Sequence, residues 1–463
     1  MQTETIAAIS TAPGQGGIGI VRISGEQAVA IAERIFRMPS GKKLSDCASH
    51  TIHYGYIWND GHTIDEVLLM LMRAPHTYTT EDTVEINCHG GVFVVKKVLE
   101  TALQNGARLA EPGEFTKRAF LGGRIDLSQA EAVIDLIQSQ NEYAWKTSLG
   151  QLKGNVSKKI QELRQKILYQ MAFLESALDD PEHISLEGYA HKLMLLLKEY
   201  QAELKQLIAS FENGRRMTEG IKTVIIGKPN AGKSSILNLL AGEERAIVTD
   251  VEGTTRDVLE ESIVLDGISL RILDTAGIRD TEDIVERMGV ERALYHIEDA
   301  DMILYVIDAS SGLDENDQRI WQKIEEKETI VLINKTDLTE EEEELLLVSK
   351  QLPQCLQKET PILFSAKEGR GLSELSAQIK ERFFAGRIAL NDQITITNVR
   401  HKRLLEEALQ SLCLAESSIQ NGMPEDFYTI DLMDAYAKLG QILGQEIEDD
   451  LADEIFQRFC MGK

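Results

Sequence analysis

A chain of 463 residues with a formal net charge of −26 has room for about two to four domains with ample core. Its acidity argues against a non-specific nucleic-acid binder, which would carry a basic surface. Its five cysteines (Cys47, Cys88, Cys355, Cys413, Cys460) show neither paired metal spacing nor disulfide density, so a reducing cytoplasm is the expected home, and no signal peptide or membrane span of ~20 apolar residues is visible.

From Met1 to about Leu121, short β-like runs (Ile18–Ile23, Val67–Met72, Thr83–Ile86) mix with turns and one helix pattern near Val94–Leu103. This predicts a small α+β domain over residues 1–121. Gly14-x-Gly16-x-x-Gly19 has the spacing of a dinucleotide fingerprint, but Ile20–Ile23 reads as strand and no helix opens there, which rejects a Rossmann site. Cys88-His-Gly-Gly91 offers two lone metal-ligand types at a turn, and no transition metal is expected.

From Asp126 to about Asn213 breakers are almost absent. Leu152, Val156, Ile160, Leu163, Ile167, Met171 and Leu174 recur at three- and four-residue steps, as do Leu193, Leu197, Tyr200, Leu204 and Leu207. Long amphipathic helices over residues 122–220 follow. Two basic stretches, Lys146–Lys166 (with Lys153, Lys158, Lys159 and Arg164) and Arg400–Arg403, could meet a structured RNA, but each reads first as a solvated helix face.

Residues 221–384 alternate strand-like and helix-like segments in the doubly wound manner. Gly227-Lys-Pro-Asn-Ala-Gly-Lys-Ser-Ser235 is a complete phosphate-binding loop between an apolar run (Val224–Ile226) and a helix-forming stretch (Ile236–Ala241). Backbone N–H groups of such a turn (Asn230, Ala231, Gly232, Ser235) cradle phosphates at a helix N-terminus. Lys233 would neutralise the outer phosphates and Ser234 would bind Mg²⁺. Asp274-Thr275-Ala276-Gly277 follows Ser269–Leu273, with the aspartate able to hold Mg²⁺ through water and the Gly277 N–H able to sense the terminal phosphate. Asn334-Lys335-Thr-Asp337 follows Ile330–Ile333, and Asp337 can accept both N–H groups of a guanine edge. Ser365-Ala366-Lys367 would close over the same base. Four motifs in this order, each after a strand, point to GTP rather than ATP.

The residue after Gly277 is Ile278, which cannot orient water as a glutamine does in many small GTPases. An acid in Asp280–Glu286 must serve, with Glu282, Asp283 and Glu286 all open on the residues alone. Arg256 and Arg279 suit structural salt bridges better than an arginine finger. Positive charge can come instead from a monovalent cation held by Asn230 and backbone carbonyls of Thr249–Thr254. Thr249, Asp250, Val251, Glu252, Gly253 and Thr254 would line the nucleotide, and Thr255 would give Mg²⁺ a second hydroxyl.

After about Asn391 the helical texture returns (Leu405, Ala408, Leu412, Ala415, Ile419). The economical reading is one helical domain, residues 122–220 and 385–463, interrupted by an inserted P-loop GTPase domain over 221–384.

Gly227–Ser235, Gly253-Thr-Thr-Arg-Asp257, Asp274–Gly277, Ala12–Gly25 and the terminal Phe459-Cys-Met-Gly-Lys463 together resemble the bacterial tRNA-modification GTPases of the MnmE/TrmE type, essentially end to end. The resemblance implies a K⁺-activated GTPase using Mg²⁺, a homodimer through its N-terminal domain, and a heterotetramer with an FAD-dependent partner. The pair would add an aminomethyl-type group to C5 of the wobble uridine of certain tRNAs, using a tetrahydrofolate one-carbon derivative (5-formyl or 5,10-methylene). On matching positions Asn230, Thr249, Val251 and Thr254 would ligate K⁺, and Glu286 would be the catalytic acid. Cys460 would join the modification chemistry, its thiolate favoured by a nearby lysine. Folate would meet Arg22, Glu85, Arg124 and Lys463. Glu85 suits the amino and ring N–H groups of a pterin, and the arginines suit a carboxylate tail. Arg124 stands where relatives often have lysine, and Met461 where they commonly have isoleucine.

Overall fold

The computed structural model describes residues 4–243, 261–273, 296–311, 313–338, 352–353, 360–384, 394–445, 455–457, 459 and 462. The chain divides into two compact units, one of residues 1–134, 151–197 and 410–463, the other of 135–150 and 198–409.

The first unit is built on a seven-stranded sheet in the order β3-β4-β5-β6-β2-β1-β7. Its strands are β1 (Ile6–Ile9), β2 (Ile18–Ser24), β3 (Phe36–Arg37), β4 (Thr51–Asn59), β5 (His62–Met72), β6 (Thr83–His89) and β7 (Arg108–Leu109). Neighbours are antiparallel except β1 and β7. Strict alternation drives Val21, Ile23, Leu69, Leu71, Val84 and Ile86 to the core face. There they meet α1 (Ala28–Ile35) and α2 (Val92–Gln104). The other face stays apolar but open, with Ile52 60% and Tyr54 47% exposed.

β1 and β4 escape sequence reading for physical reasons. Ile6-Ala-Ala-Ile9 is too short to alternate visibly. β4 carries Gly55 at its centre because a Cβ there would lie 2.6 Å from the Phe36 ring.

The helical run opens with α3 (Glu114–Leu121), α4 (Leu127–Gln138), α5 (Glu142–Leu152), α6 (Asn155–Asp179) and α7 (Tyr189–Glu219). Gly154, at φ 85°, separates α5 from α6. The apolar repeat Val156, Ile160, Leu163, Ile167, Leu174 is buried along α6 as its spacing predicts. Arg164 corrects the expectation of a solvated basic face. It is buried, its guanidinium lies 3.9 Å from the Tyr436 ring centroid, and its Nε donates to the Tyr436 carbonyl at 3.2 Å. A Cβ on Gly440 would stand 3.0 Å from Arg164, so that glycine makes its room. An arginine so enclosed cannot contact RNA.

The second unit carries a six-stranded sheet in the order β13-β12-β11-β8-β10-β9. Its strands are β8 (Ile221–Gly227), β9 (Glu261–Leu265), β10 (Ile268–Ile272), β11 (Met302–Asp308), β12 (Thr329–Asn334) and β13 (Ile362–Leu363). All pairings are parallel except that of β9 with β10. Both faces are covered. Ile225, Leu304, Val306 and Leu332 pack with α8 (Lys233–Glu243) and α10 (Leu372–Phe384). Val224, Ile226, Tyr305 and Val331 pack on the opposite side with α9 (Glu315–Ile324). Continuous burial along β11 is the mark of a doubly wound parallel sheet. In the same unit His401, in α11 (Val399–Gln420), is buried, and Lys402 sits 4.7 Å from the Phe211 ring centroid. The Arg400–Arg403 stretch is therefore partly core. A further helix, α12 (Glu425–Ile442), belongs to the first unit and carries the Tyr436 that covers Arg164.

Candidate functional site

β8 lies between β10 and β11, so the strand order reverses beside its C-terminal end. In open α/β sheets such a switch point is where ligands bind. The loop that leaves β8 there is Gly227–Lys233. Gly227 packs so closely on β11 that a Cβ would collide with the Val306 carbonyl. Asn230 takes φ 63° and Gly232 φ 94°, the left-handed conformations that turn the loop into α8. The Lys233 ammonium donates to the carbonyls of Gly227 (3.1 Å) and Lys228 (2.8 Å). It is thus held over the loop, where a phosphate would be met.

The base-side motifs converge on the same loop. The Asn334 amide is buried, donating through Nδ2 to the Ala231 carbonyl (2.9 Å) and accepting at Oδ1 from the Ala366 N–H (3.1 Å). One side chain therefore ties the phosphate loop to the Ser365–Lys367 segment. A Cβ on Gly232 would collide with that amide. The Ser365 hydroxyl donates to Asp337 at 2.8 Å, which orients the carboxylate expected to read guanine. Lys335, at φ 66°, pairs with Asp308 at 2.7 Å. Burial alone would raise the Asp308 carboxyl, but the bonds from Lys335 and Ser310 outweigh it and hold it below the usual range.

Asn230, Ala231, Gly232, Lys233, Ser234 and Ser235 follow β8, Asn334, Lys335 and Asp337 lie at the end of β12, and Ser365, Ala366 and Lys367 follow β13. Thr249, Asp250, Val251, Glu252, Gly253, Thr254, Thr255, Asp274, Thr275, Ala276, Gly277 and Glu286 lie outside the described residues, as do Arg256, Ile278 and Arg279. Asp308 belongs to no sequence motif, and Lys228 stands at an unspecified position of the G-x-x-x-x-G-K-[ST] pattern, so neither side chain carries a sequence signal.

A second constellation sits on the first unit. β2 and β6 pair Arg22 opposite Glu85, and the two form an ion pair of 2.7 Å. The Arg22 guanidinium lies 5.4 Å from the Tyr78 ring centroid and 5.5 Å from that of Phe115; Arg124 lies 4.5 Å from the same Tyr78 ring. The chain's end reaches this place. The Gly462 carbonyl accepts from Arg22 Nη1 (3.3 Å) and from the Ser10 hydroxyl (3.1 Å). Phe456 and Phe459 pack into the cluster of Phe120, Leu127 and Val133. Three of the four residues expected to meet folate, Arg22, Glu85 and Arg124, are thus gathered around Tyr78. The fourth, Lys463, and Cys460 lie outside the described residues. Tyr78 itself carries no sequence signal. The His89 ring is held by Asp65 at 2.7 Å, and burial pushes the neighbouring Cys88 thiol up to about 11. Among the described residues no cluster of acids, histidines and cysteines could hold a metal ion.

Two family models match. One, described as the MnmE helical domain, covers residues 127–460; the other, described as the GTP-binding protein TrmE N-terminus, covers residues 5–124. Curated relatives are similar along the whole length. A protein named tRNA modification GTPase MnmE from Lachnoclostridium phytofermentans is 54% identical over 100% of both chains. Its namesakes from Acetivibrio thermocellus and Geobacillus kaustophilus are 50% and 48% identical, each over 99% of both chains.

Proposed function

The chain belongs to the MnmE family of tRNA modification GTPases, and from that premise we propose the reaction it serves and the residues that carry it. It is a GTP hydrolase, with GTP and Mg²⁺ as the family's ligands. Hydrolysis drives, together with an FAD-dependent partner, addition of an aminomethyl-type (carboxymethylaminomethyl) group to C5 of the wobble uridine of certain tRNAs. The observation that carries the nucleotide half is the Asn334 amide bridging Ala231 and Ala366, beside an Asp337 already oriented by Ser365.

The Lys233 ammonium, held by two loop carbonyls, meets the phosphate oxygens when nucleotide enters. Ser234 and Thr255 are the hydroxyls that hold Mg²⁺, which supplies neutralising charge on the phosphates. Asn230, Thr249, Val251 and Thr254 hold K⁺, and Glu286 orients the attacking water. The exposed left-handed position of Asn230 supports its part in this set. On the first unit, Arg22, Glu85, Arg124 and Lys463 receive a tetrahydrofolate one-carbon derivative, with Tyr78 as a stacking wall. Cys460 takes part in the modification chemistry.

The chain works as a homodimer through its N-terminal domain, a reading supported by the open apolar sheet face around Ile52, Tyr54 and Leu68. It forms a heterotetramer with the FAD-dependent partner in the cytoplasm. No helix among the described residues is long and apolar enough to cross a membrane. The test is deletion of the gene followed by mass spectrometry of digested tRNA nucleosides. The modified wobble uridines disappear on this reading, and an unchanged nucleoside profile would refute it.

A further inference from the structure

Lys228 is the second residue of the phosphate loop, and its backbone and side chain do different work. Its carbonyl accepts from the Ala231 N–H at 3.2 Å and from the Lys233 ammonium at 2.8 Å. Its ammonium reaches Asp317 at 3.0 Å and Asp314 at 3.3 Å. Asp317 is fully buried at the start of α9, where it also accepts the Tyr305 hydroxyl and the Asp314 N–H (2.8 Å). Tyr305 is itself wholly buried in the middle of β11. Pro229 follows directly and restricts the Lys228 backbone to extended conformations. The loop's first turn is thus fixed at one point to the sheet and α9 through a buried carboxylate. The carbonyl that Lys228 positions is one of two that hold Lys233.

We propose that Lys228 is a positioning residue for GTP binding and hydrolysis: anchored on Asp317, it fixes the loop carbonyl that aims Lys233 at the phosphates. The inference rests on the GTPase reading above and adds a residue to it. A bystander role is the serious competitor, because removing either member of a buried ion pair destabilises a fold by stranding the other charge. Stability and nucleotide affinity must therefore be read separately.

The full chain would be titrated with mant-GDP and mant-GTP, alongside thermal midpoints and steady-state GTP turnover. Three variants decide the matter: Lys228→Arg, Lys228→Met and the double variant Lys228→Met/Asp317→Asn. Lys228→Met weakens both nucleotides about ten-fold, equivalent to ~1.4 kcal/mol. Lys228→Arg keeps the ion pair and retains most of the affinity. The double variant, with no buried charge left stranded, regains thermal stability but not affinity. Recovery of affinity in step with stability in the double variant overturns the proposal and leaves Lys228 as charge compensation. Wild-type affinity in Lys228→Met overturns it as well. If that single variant does not fold, the double variant and Lys228→Arg give the answer. A wild-type chain that binds neither mant nucleotide is a different result, which removes the GTPase reading itself.

Discussion

The phosphate-loop site and the Arg22–Glu85 site both lie at a sheet, yet they are assembled differently. Around the loop, the decisive bonds run between short segments that each leave a parallel strand: Asn334 to Ala231 and Ala366, Ser365 to Asp337, Lys335 to Asp308. A parallel sheet delivers strand ends to one edge in a fixed order, so motifs distant in sequence meet by topology alone. The site on the first unit has no such conveyor. Ser10, Arg22, Tyr78, Glu85, Arg124 and Gly462 come from a loop, two antiparallel strands, a turn, a helix end and the chain terminus. Where topology positions residues, one substitution should be costly and local. Where side chains must find one another, the weak point is whatever docks last.

The largest effect expected from that contrast is at Asn334. Asn334→Ala removes two buried hydrogen bonds and leaves the Ala231 carbonyl and Ala366 N–H without them. At about 1.5 kcal/mol each, the loss is ~3 kcal/mol, or about 100-fold in GTP and GDP affinity. Fluorescence titration with mant nucleotides checks it. A loss smaller than about three-fold would mean the motifs are positioned independently, and the contrast between the two sites would fail.

Gly462 tests the other region. It takes φ 88°, and a Cβ would collide with the Ile9 carbonyl, a backbone atom that cannot step aside. Gly462→Ala carries about 1–2 kcal/mol of left-handed strain before that collision is counted. The tail should leave Arg22 and Ser10 while the nucleotide site stays intact. Limited proteolysis of the terminus should accelerate several-fold, with unchanged mant-GDP affinity. Unchanged proteolysis would show that Phe456 and Phe459 alone secure the tail.

The same contrast explains what could be read from sequence. Phosphate loop, Asn334–Asp337 and Ser365–Lys367 are contiguous, glycine- or polar-marked, and each follows an apolar run, so residue type and location are visible together. The strands Ile221–Gly227 and Thr329–Asn334 extend only a few residues beyond the apolar cores that announced them. Arg22 and Glu85 were nameable only through family resemblance, because an outward charged residue on a strand is ordinary. Tyr78 was not nameable at all, since nothing local distinguishes it from any turn tyrosine. Arg164 misled for the converse reason. Its helix position is correctly amphipathic, but the space that buries it is made by Gly440, some 270 residues later, and no local pattern reports that.

The smallest expected effect sets two ion pairs, one in each unit, against pH. Asp308 has a lowered carboxyl, because the Lys335 and Ser310 bonds outweigh the burial that would raise it. A group depressed on folding adds stability above its unfolded value, about 3.9, and that stability is lost as pH falls through the lower folded value. His89 behaves oppositely: the hydrogen bond and charge of Asp65 raise its ring. Its contribution is complete below the unfolded value of about 6.5 and disappears as pH rises through the folded one. Between about pH 4 and 6.5 both pairs act, whereas alkaline solution weakens only the one at the end of β6. The His89 backbone N–H donates to Asp65 at 2.8 Å in either protonation state, and His89→Ala keeps that bond. Comparing this variant with wild type therefore isolates the ring. The thermal midpoint of His89→Ala should fall below wild type at pH 5.5, and the deficit should shrink steadily toward pH 9. The Lys335→Met deficit should stay flat over the same range. A His89→Ala deficit independent of pH would assign the contact to packing rather than charge.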